Sequence, residues 1–296
     1  MINKTFYSIF QQGSRTYFYS SLFFPTAVKK DVFSLYGFVR KADNYVDEIP
    51  QDKQGFYSFK ENYYRAVAGN KTGDIVIDTF VDLQEKKGFE QTWVDAFLES
   101  MELDLNKKTY DSLDETLKYI YGSAEVIGLM MAKILNLTSD AYPFARYLGR
   151  AMQYINFIRD ISQDITLGRV YLPSTDLKKF GLKGLEDTYT RQHPERFTKL
   201  IRHEIQRYCN WQNYAEQGYK YIPKRYLISV KTASEMYHWT AEQIFKNPFI
   251  VYEWQVKPLI SRIITTTLIN FIDTDSQKRK KTALYCAQAL PQPQQQ

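Results

Sequence analysis

Sulfur and imidazole are scarce in this chain: its 296 residues hold two cysteines and three histidines. Cys209 and Cys286 lie far apart in sequence, which argues against a disulfide scaffold or a thiolate metal site and fits a reducing cytoplasm. No zinc spacing and no nucleic-acid motif occurs, so nucleic acid is not an expected partner. There is no apolar run of about 18 residues, so no segment is expected to span a bilayer. The opening MINKTFYSIFQQGSRTYFYS lacks the continuous apolar core of a signal peptide. The expected location is cytoplasmic, and the net charge of +6 adds peripheral contact with an anionic membrane as an option. Alternating strand patterns are missing too, which turns attention to helices.

What is there is apolar and aromatic. Hydrophobic residues make up 44% of the chain, enough to expect a packed core. The 24 tyrosines and 19 phenylalanines could line a large apolar cavity or fill a helical core. Helical spacing runs nearly throughout, with a start signal at Pro25 and breaks at Asp52–Gly55, Gly69–Asp74, Leu167–Asp176 and Lys246–Pro248. The expected fold is all-α, a single helical bundle over residues 1–275. A tail over 276–296 begins basic, at Lys278-Arg279-Lys280-Lys281, and ends in the low-complexity ALPQPQQQ.

Two acidic stripes stand out. In LYGFVRKADNYVDE, Tyr36, Arg40, Asp43 and Asp47 are spaced i, i+4, i+7, i+11, within a wedge of about 60° on a helix. In INFIRDISQD, Asn156, Asp160 and Asp164 are spaced i, i+4, i+8, within about 80°, with Gln153 before them and Arg159 at the edge. Either stripe alone reads as a solvated face. Together they do not, because both are flanked by strongly apolar positions: Phe33, Leu35, Phe38 and Val39 in one, Met152, Ile155, Phe157 and Ile158 in the other. A helix apolar almost all round is buried, and buried carboxylates need cations or hydrogen bonds.

Two facing carboxylate pairs make an oxygen-rich site, which suits Mg²⁺ and its preference for carboxylates plus substrate phosphates. Softer metals would want His or Cys, and neither stripe has one. The interleaved Arg40 and Arg159 make sense if a phosphate or diphosphate bridges metal and protein, since guanidinium grips phosphate in a bidentate fork.

These segments resemble the squalene/phytoene synthase family, the head-to-head branch of the trans-isoprenoid synthases, over about residues 5–275. GSRTYFYSSLFFP is similar to its N-terminal segment, LYGFVRKADNYVD to its first aspartate motif, YIYGSAEVIGLMM to its central tyrosine-glycine helix, and QYINFIRDISQDITLGRVYLP to its second aspartate motif. Two positions depart from the pattern: Asn44 stands where many members have a second aspartate, and Glu125 where others have a small residue that could shape the wall near Tyr121.

The resemblance implies an isoprenoid-synthase helical bundle around a central cavity, and Mg²⁺-dependent condensation of two prenyl diphosphates, Mn²⁺ being the alternative ion. It implies ionisation of one diphosphate, attack by the second substrate's double bond to give a cyclopropyl diphosphate, then a second ionisation and rearrangement. It assigns Asp43, Asp47, Asp160 and Asp164 to the metal, with Gln153 and Asn156 supporting the mouth. Ser14, Arg15, Thr16, Arg40, Arg159 and Arg169 would grip diphosphate. Tyr36, Tyr121, Tyr171 and Tyr237 would steady carbocations with ring faces or anchor diphosphate, although each could equally be ordinary packing. Lys257 and Arg262 read rather as a solvated face, and the histidines match no motif.

YGSAEVIGLMM is more similar to prokaryotic phytoene synthases, and Ser20 and Ser21 are small where a cavity wall could carry a bulky ring. The expected activity is phytoene synthase on geranylgeranyl diphosphate, with NADPH not expected. The alternative is squalene or dehydrosqualene synthase on farnesyl diphosphate. A non-catalytic helical scaffold of the same fold would have no need of four aspartates, and a lipid-surface binding protein would leave both stripes unexplained.

Overall fold

The computed structural model describes residues 3–272, so the expected tail, 276–296, lies outside the described residues. Ser14 joins the first two helices, α1 (Lys4–Gly13) and α2 (Arg15–Ser21): its N–H donates to Phe10 O, and its Oγ accepts from Tyr17 N–H at 3.3 Å. α3 (Thr26–Asp47) starts directly after Pro25, as the sequence predicts. Next come α4 (Lys53–Val67), α5 (Ile75–Lys87), α6 (Gln91–Asn106) and α7 (Leu113–Ile120). The break expected at Asp52–Gly55 falls earlier, because Asp52 caps α4 by accepting from Gly55 N–H at 2.8 Å.

A single π-helical turn, Tyr121–Glu125, separates α7 from α8 (Val126–Ile134). α9 (Tyr142–Arg159) and α10 (Ile161–Thr166) follow, then two short helices, α11 (Ser174–Lys179) and α12 (Asp187–Thr190). α13 (Pro194–Glu216), α14 (Lys224–Lys246), α15 (Ile250–Glu253) and α16 (Ile260–Ile272) complete the described chain. Among the described residues the extended pairing is a single isolated bridge, Thr109 with Val170, so the all-α expectation holds.

α9 is the central helix, packed against α7, α8, α13 and α14. One apolar cluster gathers α3, α5 and α6 around Phe38, whose ring stacks on Phe80 with centroids 3.8 Å apart. A second gathers α9 and α13 around Tyr154, Ile155, Ile158, Ile205 and Tyr208. Full burial of each such side chain contributes roughly 1.5–3 kcal/mol. Cys209, on α13, is fully buried in this second cluster.

The segment around the π turn touches its neighbours backbone to backbone. A Cβ at Gly122 would sit 2.1 Å from Ala96 O on α6, and one at Gly128 would sit 2.2 Å from Ala145 O on α9. Neither carbonyl can swing away as a flexible side chain could. Gly122→Ala is expected to destabilise the protein by about 1–3 kcal/mol through overpacking. A thermal melt followed by circular dichroism checks this, and an unchanged Tm would refute so close an approach.

Candidate active site

α3 and α9 carry the two stripes to opposite sides of a cavity of about 480 Å³. α3 lines it with Tyr36, Arg40, Asp43 and Asp47, and α9 with Gln153, Asn156 and Arg159. The second stripe, expected on one unbroken helix, crosses a junction instead. Asp160, at φ −99° and ψ 13°, separates α9 from α10. The stripe survives because Asp160 N–H still donates to Asn156 O at 2.8 Å, and Asp164 N–H to Asp160 O at 2.9 Å.

Each outer carboxylate is paired with an arginine of its own stripe. Arg40 Nη1 donates to Asp43 Oδ2 at 2.6 Å. Arg159 forks onto Asp160, with Nε 2.9 Å from Oδ1 and Nη2 2.5 Å from Oδ2. Gln255 adds a third donor to Asp160, its Nε2 lying 2.8 Å from Oδ1. Arg15 is exposed at the same mouth, beside Ser14 and Thr16. Ser14 Oγ is occupied in capping α2.

Lys257, expected on a solvated face, lines this mouth as well. Its ammonium is held below the ordinary lysine range by burial, then by Arg159, with Arg15 and Arg40 acting in the same direction and Asp160 opposing. Arg262 does not reach the mouth; it lies over the Trp239 ring, 5.1 Å from the centroid.

The carboxylates are short of positive charge. Asp43 is pushed up to about 7 by burial, then by the neighbouring Asp47, with Arg40 only partly offsetting them. Asp164 is raised by burial and then by Asp160. Asn156 Oδ1 is buried with no hydrogen-bond partner. This all-oxygen donor set, containing an orphaned carbonyl oxygen, fits a hard divalent cation.

The four aspartates do not close on one point. Among the described residues, the trio whose ligand atoms lie within 4.8 Å of one another is Asp176, His203 and Glu204, elsewhere in the fold. There Arg207 already supplies the positive charge, bonded to Glu204 and lying 2.9 Å from Asp176 Oδ2. At the mouth, ions held by the facing stripes would need further oxygens from a bound anion.

Arg169 lines the cavity with the aspartates but is only 2% exposed, its guanidinium paired with Asp47. Its guanidinium bonds Asp47 Oδ1 at 2.8 Å, Tyr171 OH at 3.2 Å and the Val46 carbonyl. Asp104, which sequence reasoning missed, closes this knot: its carboxylate accepts from Tyr171 OH at 2.7 Å and Tyr119 OH at 2.6 Å, 4.0 Å from Arg169. The signal was present, since Asp104 falls in the core register of α6 set by Phe97, Met101 and Leu105.

The tyrosines divide. The Tyr36 ring stacks on Phe10 at 3.8 Å, and Tyr171 stacks on Phe157 at 4.3 Å; both line the cavity. Tyr237 lies 5.7 Å from Tyr17, also missed, with the Tyr17 and Asn156 side chains in hydrogen-bond reach of its hydroxyl. Tyr121 is the clear correction. The π turn begins there, its ring lies beside Arg146 at 5.3 Å, and Tyr119, two residues earlier, lines the cavity in its place. Glu125 does not form the wall near Tyr121 either: it is buried between Arg146 and Arg150, 2.9 and 2.6 Å from their Nε atoms. Ser123, Ala124 and Ile127 form that wall.

A sequence model of the squalene/phytoene synthase family matches residues 10–262. A 15-cis-phytoene synthase of Pantoea ananas is 26% identical over 237 residues, covering 76% of each chain. A 15-cis-phytoene synthase of Synechocystis is 25% identical over 257 residues, covering 81% of this chain and 76% of its own. A solved dehydrosqualene synthase in complex with ligand has the same fold, with a TM-score of 0.78 at 17% identity, over 91% of this chain and 96% of its own. The squalene synthase HpnC from Alicyclobacillus acidocaldarius aligns at a TM-score of 0.73 and 22% identity, over 82% and 92%.

Replacing Asp104 by Ala would orphan two tyrosine hydroxyls and strip a counter-charge from buried Arg169. A loss of about 3–5 kcal/mol is expected, and a smaller loss for Asp104→Asn. Urea unfolding monitored by fluorescence decides it; equal stability of all three proteins would remove the knot's structural role.

Proposed function

Since the chain belongs to the squalene/phytoene synthase family, we propose that it joins two geranylgeranyl diphosphates head to head and releases phytoene, in carotenoid biosynthesis. The observation that carries this reading is the mouth: two facing aspartate stripes, ringed by Arg15, Arg40, Arg159 and Lys257, opening into an apolar cavity. Phytoene synthase relatives support the C20 substrate. So does the cavity wall, where Ser20 and Ser21 turn their hydroxyls onto the Tyr17 and Phe18 carbonyls and take little room. Farnesyl diphosphate is the second substrate reading. The reaction is assigned to residues 1–275 as one domain.

Mg²⁺, with Mn²⁺ as the alternative ion, would be held by Asp43, Asp47, Asp160 and Asp164 and would supply Lewis-acid charge to the departing diphosphate. Arg40 and Arg159 exchange their aspartate partners for phosphate oxygens, and Arg15 and Lys257 add positive charge where the leaving group becomes more anionic. Gln153, Asn156 and Thr16 complete the polar rim. Arg169 acts through Asp47 as a positioning residue. Tyr36, Tyr171, Tyr17 and Tyr237 offer ring faces to the allylic cation formed when the first diphosphate leaves. The second substrate's double bond then attacks that cation, and loss of a proton closes the ring of a cyclopropyl diphosphate, which ionises and rearranges in turn. Loss of a second proton ends the reaction, so no NADPH is used.

Purified protein incubated with Mg²⁺ and either prenyl diphosphate, with and without NADPH, should form a C40 hydrocarbon from geranylgeranyl diphosphate regardless of NADPH. A C30 product alone would transfer the reading to farnesyl diphosphate, and no hydrocarbon would sink it. Asp43→Asn and Asp160→Asn should each lower kcat about 10²–10³-fold with the circular dichroism spectrum unchanged.

Metal binding should also depend on pH. With Asp43 at about 7 in the metal-free protein, most of it is protonated at pH 6 and ionised at pH 8. Binding of Mg²⁺ with inorganic diphosphate should therefore strengthen about tenfold from pH 6 to pH 8 and release protons. Calorimetry in buffers of different ionisation heat measures both; a flat profile would place Asp43 outside the metal site.

A further inference from the structure

We infer that Gln255 is a positioning residue for both halves of the mouth: it orients the Asp160 carboxylate for a cation, and it anchors the stretch of chain that presents Lys257 to the anion. It belongs to neither acidic stripe. It lies in the non-helical connection between α15 and α16, 95 residues beyond Asp160 in sequence.

The connection is held on two sides. Trp254, at φ −164° and ψ 158°, starts it in extended backbone, where successive side chains point to opposite faces. Val256 turns inward: it is fully buried in the second apolar cluster, and its carbonyl accepts from Thr240 Oγ1 on α14 at 3.3 Å. Gln255 and Lys257 flank it and both reach toward Asp160. Gln255 Nε2 donates to Asp160 Oδ1 at 2.8 Å and to Gln163 Oε1 at 3.1 Å, so its amide straddles the break between α9 and α10. Lys257 lines the mouth, where Arg159, Arg15 and Arg40 repel it and Asp160 attracts it. The place of the Asp160 carboxylate and the place of this connection are therefore linked.

The chemistry of the donor decides its role. Arg159 also holds Asp160, but it is charged, and a phosphate would draw it away. A guanidinium and a metal ion repel each other at one carboxylate, whereas a neutral amide adds no such repulsion. A carboxylate offers about four lone-pair sites, so Oδ1 has room for the Gln255 N–H and a cation together. Gln255 is thus the partner able to stay on Asp160 when Arg159 turns to the anion. Asp160 needs one, because it stands at a helix break rather than inside a turn. Partners that orient a metal-binding side chain are typically worth about 10–100-fold in metal affinity.

This inference rests on the assignment of Asp160 to the metal proposed above, and the test separates the two. The full-length protein is titrated by calorimetry with Mn²⁺ in the presence of inorganic diphosphate, which resolves affinity from the number of working sites. Wild type, Gln255→Met, Lys257→Met and the double variant are compared; methionine keeps the length of glutamine and removes the donor. Gln255→Met should bind about 10–100-fold more weakly, with the stoichiometry and the melting curve unchanged. The double variant should lose less than the product of the two single losses, because Lys257 is already displaced once Gln255 lets go. Should Gln255→Met misfold, Gln255→Asn, one methylene shorter, carries the same expectation. Unchanged affinity overturns the inference. So does a lowered stoichiometry at unchanged affinity, which would make Gln255 a structural residue only, and so do single losses that multiply, which would leave Lys257 placed without it. A wild type that binds nothing overturns the metal assignment and this inference with it; a wild type and a variant that bind alike overturn this inference alone.

Discussion

One buried guanidinium sets the geometry of the mouth. Arg169 is almost fully enclosed, and an uncompensated charge there would cost several kcal/mol. Its compensation comes from two places distant in sequence, Asp47 and the Val46 carbonyl at the end of α3 and Asp104 on α6, and from Tyr171 two residues further on. Its own N–H donates to Asp164 O at 2.8 Å, tying the knot to the second stripe. The ends of the two aspartate stripes are thus held in register by a cation that is itself almost fully enclosed. Asp104, raised to about 6 by burial against the pull of Arg169, remains the anion that keeps this cation in place.

Forward of the knot, charges are only partly matched. Arg40 pairs with Asp43 three residues on, and Arg159 with the adjacent Asp160, so both pairs form within one stripe and none spans the mouth. Asp43 and Asp164 still bind protons too tightly, and Lys257 too weakly, for a site at electrostatic rest. Each strain has the sign that a bound cation–anion assembly would relieve. Cations would restore the carboxylates, and phosphate oxygens would draw the arginines and Lys257 off one another. Such a site gains affinity from the relief and resists closing on itself when empty.

The all-α class and both stripes were legible because they depend on spacing, and spacing is local. Asn156, Asp160 and Asp164 could be placed on one side by counting, and the kink at Asp160 did not disturb that, since its two flanking hydrogen bonds keep the helical repeat. Depth was not legible. Arg169 and Lys257 are both basic residues near acidic motifs and both line the cavity, yet one is almost fully enclosed and paired with Asp47 while the other stands among the arginines of the mouth, a difference fixed by tertiary packing. Nor could counting by 3.6 reveal the π turn at Tyr121–Glu125. It inserts extra arc after Tyr121, and Ser123, Ala124 and Ile127 are the residues that it and the start of α8 present to the cavity. The close approaches at Gly122 and Gly128 hold that turn against α6 and α9, which makes the altered facing a fixed property of the wall.

The cavity tyrosines constrain what the proposed chemistry can ask of them. Tyr17, Tyr36 and Tyr237 are all held above the ordinary phenol range, chiefly by burial. None is a phenolate at working pH, and a neutral phenol oxygen is a very weak base. Their contribution to a carbocation is therefore the ring face, an attraction that needs no proton transfer and operates best where water is excluded. Had one of them ionised, it would have trapped the cation as an ether. The final proton must then leave toward the mouth, where the anionic oxygens of a diphosphate would be the strongest available acceptors. On the proposed reaction a neutral aromatic interior and a charged rim would divide the work between them: the interior would keep the cation alive through its rearrangements, and the rim would receive both the leaving group and the last proton.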